Sequence, residues 1–194
     1  MRAVNVLPEG YREIYSVHLQ KEKRTSLLIN GLGALIAVLL VLPACFIVPI
    51  STVFTIQEDL GGMAFKLVFF AVMDIVYMVL HELVHGLAMK LCGTKKVKYG
   101  FTGLYAYAGS EDYYGKKAYI LIALAPVVLW GIVLAVATVL VPTDWFWPVY
   151  AIQIINLSGA AGDYFVTAKF FRFPEDILVR DCGVGMTVYS RQAL

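Results

Sequence analysis

The residues with the most evident chemistry are His81, Glu82 and His85, which stand in the order His-Glu-Leu-Val-His and are followed by Gly86. Two histidines four positions apart stack on one face of an α-helix about a turn apart, so both imidazoles can turn a nitrogen toward a single tetrahedral metal ion. Glu82 sits one residue round from His81. There it is displaced from the ligand face but placed to take a proton from an activated water. The chain has three histidines and spends two of them on this HExxH pattern, the signature of zinc hydrolases. The third, His18, has no partner in sequence and reads as a solvated surface histidine.

Catalytic zinc ordinarily takes three protein ligands, so one is missing. The motif lies about two turns before the end of the apolar run 63–91. Asp163 lies about two turns before Lys169 and Arg172 in the apolar run 146–171, where it is the only ionisable residue of the interior. If both runs cross a membrane in the same sense, Asp163 reaches the depth of the histidines. Gly159, Ala160, Ala161 and Gly162 beside it give a small-residue surface for close helix approach. Asn156, seven residues earlier, shares its helical face. Two other carboxylates stay open as the third ligand. Glu111 follows the motif in a segment that reads as hairpin and loop. Asp74 lies roughly ten ångströms along the motif helix, too far for the same ion, and suits a polar path or helix packing better.

The elements that must carry these residues follow from composition. Of 194 residues 60% are hydrophobic and 15% charged, which is too apolar for a soluble domain and points to a mostly α, polytopic membrane protein. A net charge of +2 leaves no footprint for nucleic acid. Cys45, Cys92 and Cys182 are scattered, odd in number and without CxxC spacing, so neither a disulfide framework nor a thiolate metal site is expected.

Four transmembrane helices are predicted, over 26–50, 63–91, 118–141 and 146–171, in one domain spanning 1–194. Pro43 and Pro126 should bend the first and third. Residues 1–25 form an N-terminal segment in which 11–23 reads as a helix on the membrane surface. Residues 97–101 and 104–108 around Thr102-Gly103 predict a β-hairpin. The tail 174–194, with apolar residues alternating around Gly183 and Gly185, predicts short strands. Lysine and arginine gather in the N-terminal segment, the loop after the second helix and the tail. The positive-inside rule then puts both termini in the cytoplasm of a multi-pass cell-membrane protein.

An apolar HExxH helix, a β-rich cytoplasmic segment and a later helix with an aspartate together resemble the site-2 class of intramembrane metalloproteases. The chain as a whole more closely resembles a family of small bacterial membrane proteins, the zincin peptidases, through Leu7-Pro8-Glu9-Gly10-Tyr11, the His81–His85 motif, Tyr105-Ala106-Tyr107 and the run from Asn156 to Asp163. The resemblance implies Zn²⁺ held by His81, His85 and Asp163, and Glu82 as the catalytic base. It also implies a peptide or membrane-protein substrate cut at or near the cytoplasmic face. Site-2 proteases carry prolines between the asparagine and an Asp-Gly pair. Here no proline separates Asn156 from Asp163, and Tyr164 follows. A role for Asn156 in holding substrate rests on that looser match, and one for Tyr105 and Tyr107 on the hairpin as a strand to which an extended peptide adds. The rival reading is a metal-binding, transport or peptide-binding membrane protein without proteolysis, which needs the ligands but not Glu82.

Overall fold

The computed structural model describes residues 3–18, 22–54, 60–103, 105–183 and 185–192. In chain order these form β1 (Arg12–Val17), α1 (Lys23–Ile47), a 3-10 turn (Ile50–Phe54), α2 (Leu60–Leu91), β2 (Lys98–Phe101), β3 (Ala106–Gly109), β4 (Tyr113–Gly115), α3 (Lys116–Leu140), α4 (Thr143–Gly159), α5 (Ala161–Phe170), β5 (Leu178–Asp181) and β6 (Met186–Ser190). The expected loop acids Glu58 and Asp59, and Leu104 and Val184, lie outside the described residues.

The protein is mostly helical, and three helices are long and apolar enough to cross a membrane: Lys23–Ile47, Gly61–Leu91 and Lys116–Leu140. In each of the first two, only 11% of the most apolar window is buried inside the protein. Leu39, Phe46, Ile75, Val136 and Val139 are instead exposed. Apolar surface on that scale is stable only against lipid or another apolar partner.

The predicted fourth helix is not continuous. Ala160 leaves helical geometry at φ −76° and ψ 11°, and its amide bonds back to Ser158 O, so α4 ends at Gly159 and α5 starts at Ala161. The Ser-Gly-Ala-Ala-Gly run offers little side-chain packing to hold the helix, and its glycines weaken it further. The N-terminal segment also departs from expectation: 12–17 is the strand β1 and not part of a surface helix. Ile14, Tyr15 and Val17 suit a strand, and the basic cluster that suggested a longer helix belongs partly to the start of α1 at Lys23.

The chain divides into two compact units. One comprises Met1–Ile29, His81–Pro126 and Gly162–Leu194. It holds an antiparallel sheet in the order β1-β6-β5-β4 and the separate hairpin β2-β3. In β6 the residues Met186, Val188 and Ser190 alternate inward, the period of two expected of the tail. Met186 and Val188 meet Met89, Tyr114, Ile122 and Phe170 in one apolar core. Val4 exchanges backbone hydrogen bonds with Tyr113 of β4, and Ala3 N donates to Cys92 O. The C-terminus of α2 is closed by a Schellman pair, Gly93 N to Lys90 O and Thr94 N to Met89 O, with Gly93 at φ 101° where a side chain would be strained.

The other unit comprises Asn30–Leu80 and Val127–Ala161 and is helical apart from the 3-10 turn. Three of its polar side chains, those of Tyr77, Gln153 and Asn156, are tied into one network. Tyr77 Oη donates to Asn156 Oδ1 at 2.9 Å, Asn156 Nδ2 reaches Gln153 Oε1 and Val127 O, and Gln153 Nε2 donates to Gly131 O at 3.0 Å.

Candidate metal centre

α2 carries His81, Glu82 and His85 into the sheet-bearing unit, where α5 supplies Asp163 in its first turn. The two imidazoles meet edge to face, with ring centroids 4.9 Å apart. Asp163 Oδ2 lies 4.0 Å from His81 Nε2, and Asp163 Oδ1 lies 3.8 Å from His85 Nε2. One ligand atom from each of the three residues falls within 4.8 Å of the other two. Ligand atoms of a tetrahedral zinc with bonds of about 2 Å stand roughly 3.3 Å apart, so small side-chain rotations would close this triangle on an ion. Both histidine side chains are 13% exposed and that of Asp163 is 24% exposed. The cluster is therefore sheltered but reachable.

The donor set fits zinc in chemistry as well as in spacing: two neutral imidazole nitrogens and a carboxylate. His85 Nδ1 stands 2.9 Å from Ile122 O of α3, and because a carbonyl only accepts, Nδ1 carries the proton and Nε2 keeps its lone pair. Glu82 occupies the adjacent helical position. Its carboxylate accepts from the Ala108 amide of β3. Gly86 completes the local fit: the hydroxyl end of Tyr99 of β2 lies where a Cβ would stand, so the glycine gives that side chain room to rest on the motif helix.

Among the described residues, His81, His85 and Asp163 are the group that could hold an ion. Glu111 is on the surface, paired with Lys98 at 2.7 Å and with Arg180, and the structure does not bring it to the histidines. Asp74 belongs to the other unit, with its Oδ1 buried and no hydrogen-bond partner to that atom. Asn156 is fully buried in the Tyr77 network, and the break at Ala160 ends the helical periodicity that put it on one face with Asp163. The ring of Tyr107 packs over Gly100 and Gly183, and Tyr105 Oη is buried without a hydrogen-bond partner.

Two residues here escaped the sequence. Asp181, at the end of β5, accepts hydrogen bonds from Tyr119 Oη and from Gly183 N at 2.7 Å, while its backbone oxygen accepts from Ser110 N just after β3. Burial pushes the Asp181 carboxyl above the usual range, against the lowering effect of Tyr119 and Gly183. No periodicity links these two positions to the motif. The weak signal was an acid within an otherwise apolar alternating strand.

A family model described as putative zincin peptidase matches residues 74–178, over half of the chain, including the motif and Asp163. The chain belongs to that family. Membership points to a metallopeptidase, with zinc as the metal that zincins use. The match ends before Asp181 and covers neither β1 nor β6, so this member of the family closes its sheet with strands outside the matched segment. No curated protein and no solved structure matches the chain.

Proposed function

We propose that the protein is a membrane-embedded zinc metallopeptidase in which His81, His85 and Asp163 hold Zn²⁺ and Glu82 is the general base. The observation that carries the reading is the convergence of the two Nε2 atoms and the Asp163 carboxylate, with Glu82 beside them. Zinc bound there supplies Lewis acidity, lowering the pKa of water and polarising a carbonyl. Glu82 takes the proton of the attacking water and passes it to the departing amine as the peptide C–N bond breaks. Ile122 O holds the His85 ring, and Asp163 brings negative charge to the same point.

Substrate is held on β3. Thr102 N donates to Tyr105 O at the turn, so by antiparallel alternation Gly100 and Tyr107 form a hydrogen-bonded pair, as do Lys98 and Gly109. The peptide groups of Ala106 and Ala108 then point away from β2 toward an open edge that begins at Glu82. A peptide added along this edge presents its scissile bond extended beside the base. Tyr105 and Tyr107 serve this edge by fixing the strand.

The substrate is a membrane-associated or transmembrane polypeptide cut at or near the cytoplasmic face, and the whole chain acts as one catalytic domain. β1 and β6 share a ladder, so the chain between them crosses the bilayer an even number of times. This supports a fourth crossing beside the three long apolar helices, and the reading assigns it to the α4–α5 segment. Positive residues put both termini in the cytoplasm. Cys182 is exposed and Cys92 buried, so labelling of Cys182 by an impermeant thiol reagent on intact cells would reverse this orientation.

The deciding experiment pairs zinc content with cleavage. Glu82→Gln should keep stoichiometric zinc and lose turnover by about a thousandfold or more, while His81→Ala should lose the metal. A Glu82→Gln protein that cleaves like wild type would leave a metal-binding or transport role in place of proteolysis.

A further inference from the structure

In a regular α-helix the carbonyl of residue 122 accepts the amide of residue 126. In α3 residue 126 is proline, which has no amide hydrogen and whose ring also presses the carbonyl four residues back away from the helix axis. The opened acceptor is Ile122 O, the atom that lies 2.9 Å from His85 Nδ1. We propose that Pro126 is a positioning residue of the metal site: by leaving Ile122 O without its helical donor, it holds His85 as the Nδ1–H tautomer with the Nε2 lone pair presented beside Asp163. The requirement is chemical. A neutral imidazole has one N–H and one lone pair, and a ligand nitrogen must be the bare one. With a helical N–H already on Ile122 O, the His85 hydrogen bond would be shared, and the other tautomer, which blocks Nε2, would gain population.

The fold uses a proline-opened turn a second time. Pro43 lies inside α1 and leaves Leu39 O, four residues back, without its helical donor. Pro43 is thus a matched control, with the same backbone lesion at a place remote from the metal chemistry. Pro126 is fully buried, so its replacement needs variants of different volume.

The test uses the full chain in detergent, with zinc affinity read by competition against a chromogenic chelator. Histidine tautomers of the zinc-free protein are read by ¹⁵N NMR after ¹⁵N-histidine labelling, at about pH 8 where imidazoles are neutral. With three histidines in the chain the spectrum is assignable from His18→Gln and His81→Gln. Pro126→Ala should weaken zinc binding by about 10- to 100-fold, the range for loss of an outer partner of a metal-bound histidine. It should also convert His85 from one Nδ1–H species to a mixture. Pro126→Val, nearer proline in volume, should repeat both effects, and Pro43→Ala should cause neither. The inference rests on the metallopeptidase reading, yet the two fail separately. A wild-type protein that binds no zinc removes that reading and leaves the tautomer to decide this one. A His85 signal that stays wholly Nδ1–H in both Pro126 variants overturns the inference, whatever their affinity for zinc.

Discussion

Each unit holds a cluster of buried polar groups, and the two clusters are built in opposite ways. In the helical unit Tyr77, Gln153 and Asn156 close their hydrogen bonds on one another and on helix carbonyls, so the network is complete without any ligand. In the sheet-bearing unit Asp163 stands 3.8 and 4.0 Å from two ring nitrogens, beyond hydrogen-bonding distance. A satisfied network rigidifies a core. A set of donors held just out of mutual reach stores affinity for something placed between them. The lesson is that burial and polarity do not mark a site by themselves; the distances among the polar atoms do.

The sharpest way to break this contrast is to exchange the two kinds of residue as targets. Asp163→Ala should weaken zinc binding by well over the roughly 100-fold that loss of an outer partner costs, with little loss of fold. Asn156→Ala should leave zinc affinity near wild type and cost about 1–3 kcal/mol of stability, because Tyr77 Oη loses its acceptor inside the helices. Zinc titration and denaturant unfolding of both variants decide it. An Asn156 variant that lost metal while keeping its stability would make the helical network part of the site.

A smaller effect tests where the site opens. Proline at Ala106 removes an amide on the free edge of β3, whereas proline at Tyr107 removes one that faces β2. Ala106→Pro should lower cleavage by roughly tenfold, the equivalent of one net hydrogen bond of about 1.4 kcal/mol, with zinc occupancy unchanged. Tyr107→Pro should instead disturb the hairpin itself and reduce thermal stability. Equal cleavage by Ala106→Pro and wild type would mean that substrate does not add to this strand.

The smallest effect concerns the far end of the sheet. The Asp176 carboxylate accepts from Ser190 Oγ at 2.8 Å and from Arg191 N, which holds its pKa below the usual range. A carboxyl with a lowered folded pKa gives stability above its unfolded value of about 3.9 and loses it as pH falls through the folded value. Wild type should therefore exceed Asp176→Asn in stability above the unfolded value, and the difference should disappear as pH falls through the lower folded value. Because this group is near the surface, the effect should be small and should have no counterpart in zinc affinity.

How much of this was legible in advance depended on range. HExxH could be read because both histidines and the glutamate lie within two turns of one helix, where spacing alone fixes the face. Asp163 could be singled out as an isolated charge in an apolar run. The hairpin and the tail strands followed from alternation and turn residues. β1 could not be separated from a surface helix, because six residues beside a basic cluster satisfy either period and its partner β6 is at the other end of the chain. The break at Ala160 was hidden because small residues are compatible both with close helix packing and with helix interruption. Asp181 and Tyr119 had no local signature. Their meeting is purely tertiary.

The pairing of β1 with β6 has a consequence for the order of events during synthesis. Val17 is opposite Met186, roughly 170 positions later, a separation that makes this ladder one of the slowest contacts in the chain to form. The other described strands and helices all precede β6 in the chain and are synthesised before β1 finds its neighbour. Until then β1 and β5 present bare edges, which a passing chaperone or quality-control protease can read as unfinished. The sheet behind α2 and α5 is thus completed last. A nascent chain should pass through an interval in which its motif helix is already inserted but the frame around it is still open, and a chain cut short before Met186 should be cleared and not accumulate.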